Sequence, residues 1–137
     1  MTDYLSIQLS DDALHQTSVL GLAQLGDAVY SLMIRSWLCL SGRATAHGLH
    51  KASVGFVAAP AQARAVAKIM PELTAAEAAV FKRGRNTRVR TIPRGATQEE
   101  YHAATGLEAL FGYLYAKGET KRLNDLFARI VENAGGE

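Results

Sequence analysis

One cysteine, Cys39, stands in the whole chain, so no internal disulfide can form and a reducing compartment is expected. Three prolines in 137 residues leave long stretches free to be helical. No apolar run reaches the roughly 20 residues needed to cross a bilayer, because Gln, Asp, Arg or Glu interrupts each one. The opening "MTDYLSIQLSDD" is acidic and has no apolar stretch of the signal-peptide kind. Together these absences exclude a disulfide scaffold and a membrane partner, and they predict a cytoplasmic protein. Acid is also missing locally. Between Ala78 and Gln98 there is no Asp or Glu, while Lys82, Arg83, Arg85, Arg88, Arg90 and Arg94 fall there, six of the 15 basic residues. Such a stretch is either a solvated loop or a polyanion contact, since clustered Lys and Arg neutralise phosphates and release counterions.

What remains is an ordinary globular composition, 48% apolar and 20% charged, with a net charge of +2. The length suits one domain over residues 1–137. After a loose lead-in, Leu25, Val29, Leu32, Met33, Trp37 and Leu40 recur at three- and four-residue spacing and predict a helix from about Thr17 to Leu40. Gly42 is a plausible stop. Further helices are expected over Leu49 to Ala58, from Pro60 to "MPEL", and from Thr74 to about Arg83. Thr74 with Glu77, and Thr97 with Glu100, have capping-box spacing. The second box opens a helix to about Lys117. Gly118 breaks the chain, and an amphipathic helix follows from Thr120 to Asn133. No strand pattern competes with these periods, so the fold class is all-α.

Two carboxylates stand apart. Asp27 lies in "GLAQLGDAVY", beside Gly26, on a stripe with Gln24, Ser31 and Arg35 that reads equally well as a helix's wet face. Glu108 is the only charge between Ala103 and Ala116, on an otherwise apolar helix. A buried carboxylate needs a cation, a hydrogen-bond donor or a proton, and a core salt bridge would serve as well as a site. Glycine inside a helix costs about 1 kcal/mol relative to alanine, so Gly26 and Gly112 suggest two helices in close approach. If they cross there, Asp27 and Glu108 face one another, and hard oxygen donors without Cys or His suit Mg²⁺ or Mn²⁺. His47 and His50 have a metal-pair spacing but no evident third ligand, and Cys39 reads as core.

"LGDAVY", "LHK", "KRGRN" and "EALFGYLY", in this order and over about Leu20 to Leu126, resemble the Mini-ribonuclease III branch of the ribonuclease III family. That resemblance implies a ribonuclease III-type helical endonuclease domain without a double-stranded-RNA-binding domain, acting as a homodimer. It implies Mg²⁺-dependent hydrolysis of double-stranded RNA, with Mn²⁺ able to substitute, in maturation of precursor large-subunit ribosomal RNA. Asp27 and Glu108 match the family's metal-binding and catalytic carboxylates. Lys82, Arg83, Arg85 and Asn86 match its RNA-associated basic segment, which Arg88 and Arg94 extend. Gln62 matches a family position without a chemical role. Full-length ribonuclease III carries two further carboxylates, where this chain has Ala23 and Thr105. The rival readings are a non-catalytic RNA-binding helical dimer and a helical interaction protein whose basic stretch is merely solvated.

Overall fold

Seven α-helices and one short 3₁₀ turn make up the computed structural model, which describes residues 1–42, 45–87, 92 and 94–132; no strand occurs among them. In chain order the helices are α1 (Asp11–Gln16), α2 (Val19–Leu40), α3 (Ala46–Val57), α4 (Ala59–Ile69), α5 (Ala75–Arg85), α6 (Gln98–Lys117) and α7 (Thr120–Val131), with the 3₁₀ turn Met70–Glu72 between α4 and α5.

Polar side chains set most of the starts. The hydroxyls of Ser10, Ser18 and Thr45 each accept from a backbone N–H in the first turn of α1, α2 and α3. The expected boxes form in full at Thr74 with Glu77 and at Thr97 with Glu100. Thr45 opens α3 a turn earlier than the apolar spacing alone indicates. Gly42 and Gly118 take positive φ, +82° and +83°, where α2 and α6 end.

The lead-in is more ordered than expected. It holds the short helix α1, and Leu9 donates its N–H to Ala116 O at 2.7 Å. The Tyr115 hydroxyl donates to Tyr4 O, also at 2.7 Å. Both bonds join residues more than 100 apart in the chain, so no local pattern announces them.

Helix α6 is the axis of the molecule. From Ala104 to Leu114 every residue except Glu108 and Tyr113 is buried, the pattern of a helix covered on nearly all sides. Around it pack Tyr30, Ile34 and Leu38 of α2, Ala65 and Ile69 of α4, Phe81 of α5, and Leu123, Leu126 and Phe127 of α7. The Tyr30 ring meets Phe111 edge-on at 5.3 Å. A fork of two 2.8 Å bonds from Arg122 to Glu77 ties α7 to the start of α5 and holds the Glu77 carboxyl below the usual carboxylate range. Cys39, expected in the core, is exposed on the last turn of α2, because the buried stripe there runs through Ile34 and Leu38.

Candidate active site

The crossing of α2 and α6 has almost no space between the backbones. A Cβ on Gly26 would overlap the carbonyl oxygen of Glu108, and one on Gly112 would overlap that of Leu22. Only hydrogen at both positions allows the approach. A smaller cluster of Ala23 of α2, Val80 of α5 and Ala109 of α6 continues it. Helix α5 closes on α6 in the same way, with Gly84 against Ala109, Gly106 and Thr105 O.

This crossing brings Asp27 and Glu108 together. Asp27 lies on the exposed side of α2, so the wet stripe with Gln24 and Arg35 is real. Yet it stands close enough to the half-buried Glu108 for its charge to favour the protonated form of that carboxyl. Burial first, and then the charge of Asp27, push Glu108 up to about 7; a hydrogen bond from Gln62 opposes them. That bond runs from Gln62 Nε2 to Glu108 Oε2 at 3.2 Å, and the same nitrogen donates to Val57 O at 2.8 Å. The cost of ionising Glu108 beside a second carboxylate is relieved by a proton or by a shared cation. Their oxygens are of the hard type that Mg²⁺ and Mn²⁺ prefer, so the pair fits such an ion.

Among the described residues no group of three or more His, Cys, Asp or Glu is placed to hold a metal, so neither His47 with His50 nor Asp27 with Glu108 gains a third such ligand. Ala23 is buried in its three-helix cluster. The Thr105 hydroxyl donates back to Tyr101 O at 3.0 Å and is spent within its own helix.

The basic segment divides. Lys82 and Arg83 are on the last turn of α5, as expected, where cations complement the helix dipole, and Arg85 joins them there instead of opening the loop. The reason is that α5 continues to Arg85, two residues past the expected end. Lys82 and Arg83 are exposed. Arg85 sits over the Phe81 ring at 5.8 Å and donates from Nε to Asn86 Oδ1 at 3.2 Å. Arg94 is exposed in a turn, and Arg88 lies outside the described residues. Because Gly84 packs on α6 at Thr105, Gly106 and Ala109, on either side of Glu108 in the chain, the basic end of α5 is anchored on the helix that carries the carboxylate.

Gln62 is the residue that sequence reasoning left without a role. Its only signal was its place in "PAQAR", since the bond it makes spans 46 residues of chain.

The Ribonuclease III domain family matches residues 20–119. The chain belongs to the ribonuclease III family and is an endoribonuclease, a hydrolase. It is similar to the Mini-ribonuclease 3 of Thermoanaerobacter sp. (strain X514), 40% identical over 90% of this chain and 87% of that protein. The Mini-ribonuclease 3 of Symbiobacterium thermophilum is 42% identical over 82% of this chain and 87% of its own. A crystallised protein of Fusobacterium nucleatum superposes with a TM-score of 0.80 at 31% identity, covering 90% of this chain and 98% of that one.

Proposed function

We propose that this chain is a homodimeric, Mg²⁺-dependent endoribonuclease of the cytoplasm that cuts double-stranded RNA, in the maturation of precursor large-subunit ribosomal RNA. The observation that carries the chemistry is the pairing of Asp27 with Glu108 across a glycine crossing. The substrate class rests on the Mini-ribonuclease 3 relatives and on the cations of α5.

In this reading Asp27 and Glu108 hold a divalent ion, with Mn²⁺ able to replace Mg²⁺. Bound there, the ion supplies positive charge that acidifies water and stabilises the charge developing on phosphoryl oxygens. The residues of the chain do the positioning. Asp27, on the exposed side of α2, admits RNA from solvent, and Glu108 anchors the site to the buried axis of the fold. Lys82, Arg83, Arg85 and Arg94, with Asn86 and Arg88, grip phosphates along the duplex. An A-form duplex offers phosphates and 2′-hydroxyls and not readable base edges, so recognition is chiefly by shape.

The dimer reading is supported by an apolar groove of about 470 Å³ between α2 and α7. Leu5, Leu32 and Leu40 line it while remaining 78%, 56% and 89% exposed, beside Trp37, Phe127 and Val131. A dimer has two sites related by symmetry, one for each RNA strand.

The test is incubation of defined duplex RNA with and without Mg²⁺. Metal-dependent internal cuts are expected. Retardation of the duplex without cleavage at any metal concentration would instead make the chain a non-catalytic RNA-binding dimer.

A further inference from the structure

Gln62 is costly where it stands. It lies in the first half of α4, is 2% exposed, and is packed between the end of α3 and the middle of α6. Its Oε1 is buried with no hydrogen-bond partner, and a buried acceptor left unpaired carries its full desolvation penalty. An apolar side chain of similar length would fill the space without that penalty.

The two bonds of its nitrogen explain the geometry. Val57 O can only accept, so the atom 2.8 Å from it is the amide nitrogen, and the orientation of the amide is settled. One N–H is used there. The other goes to Glu108 Oε2 at 3.2 Å. Val57 is the last residue of α3, and its carbonyl is one of those a helix end leaves without a donor of its own. Gln62 therefore ties one oxygen of a rotatable carboxylate to a fixed backbone point. A cap for α3 alone would have no need to reach Glu108.

Such a tie matters most in a site with few ligands. Thr105 and Ala23 give the pair no help, and a carboxylate with several rotatable bonds loses conformational freedom whenever it must hold an ion. We propose that Gln62 is the positioning residue of this site: anchored on Val57 O, its amide holds Glu108 Oε2 and leaves Oε1 of Glu108 for the cation shared with Asp27. The proposal rests on reading Asp27 and Glu108 as metal ligands.

Gln62→Met keeps the length and removes both donated bonds. Thermal unfolding establishes that the variant is folded. Mn²⁺ binding without RNA is then followed by electron paramagnetic resonance, and duplex cleavage is measured over a Mg²⁺ series. Mn²⁺ affinity should fall about tenfold or more. The Mg²⁺ concentration for half-maximal cleavage should rise by a similar factor, with kcat largely recovered at saturating metal. Duplex affinity should stay at the parental value. The parent gives a second reading that needs no variant at Gln62. The side-chain amide signal of Gln62 in nitrogen-15 NMR should shift on Mg²⁺ titration, and that shift should vanish in Asp27→Asn. A folded Gln62→Met with parental Mn²⁺ affinity and Mg²⁺ dependence would overturn the proposal. So would an amide signal that stays still while the parent binds Mg²⁺; Gln62 would then be only a cap for α3. If the parent binds no Mn²⁺ and cuts without metal, the reading of Asp27 and Glu108 fails, and this inference falls with it.

Discussion

Gly26 packs against the carbonyl oxygen of Glu108 so closely that a Cβ would overlap it. The obstacle is backbone on both sides, which cannot rotate away. Gly26→Ala should therefore force α2 and α6 apart and destabilise the fold by about 3 kcal/mol or more. Gly55→Ala is the control. It is also helical, but nothing lies within 4 Å of its added Cβ, so it should stabilise by about 0.5–1 kcal/mol through helix propensity. Thermal or urea unfolding of the two variants measures both.

Asp27→Asn and Glu108→Gln keep shape and remove charge. Each should abolish duplex cleavage at limiting Mg²⁺ while leaving helix content and duplex binding intact. Cleavage at the parental rate by either variant would remove that residue from the metal site.

The pH dependence follows from Glu108, raised to about 7 from an ordinary 4.5. Below about 4.5 folded and unfolded chains are both protonated there, and nothing is lost. Between about 4.5 and 7 the unfolded chain gives up its proton first, so stability falls as pH rises. Above 7 the loss is constant, up to about 3 kcal/mol at 1.36 kcal/mol per pH unit. Without metal, Glu108→Gln should thus be more stable than the parent at pH 8, and the gap should close toward pH 4. Because a cation competes with this proton, apparent Mg²⁺ affinity should weaken as pH drops through 7. Melting curves and metal titrations across pH 4–8 test both signs.

Replacing Arg83 and Arg85 with alanine should weaken binding to unrelated duplex sequences alike. It should also flatten the slope of log affinity against log salt by up to about 2, as fewer counterions are released. Binding over a salt series, with Ca²⁺ in place of Mg²⁺, measures this. An unchanged slope would return these arginines to the plain role of completing the C-terminal turn of α5.

The groove between α2 and α7 predicts the oligomer. The parent should sediment at micromolar concentration as a dimer of the 14.7 kDa chain. Leu32→Glu, which places a charge on an exposed apolar side chain of its lining, should shift it toward monomer with its helices intact. A parent that sediments only as monomer would refute the dimer.

Local chemistry by itself determined the helices from α2 to α7, though not the short α1. Apolar spacing, two capping boxes and two stop glycines act within a few residues of one another, so they can be read in one dimension. It also supplied the motifs that mark the family, with Asp27 and Glu108 as candidate partners. The N-terminal ties from Leu9 and Tyr115 were not legible, and neither was the burial of Gln62. Nor could periodicity decide whether Asp27 was merely solvated, because it is both exposed and paired. Those facts depend on which helices cross and at what separation. Only the tertiary structure settles them, for a hydrogen bond such as that from Gln62 to Glu108 exists when packing brings two residues 46 positions apart within 3.2 Å, and no local propensity encodes that meeting.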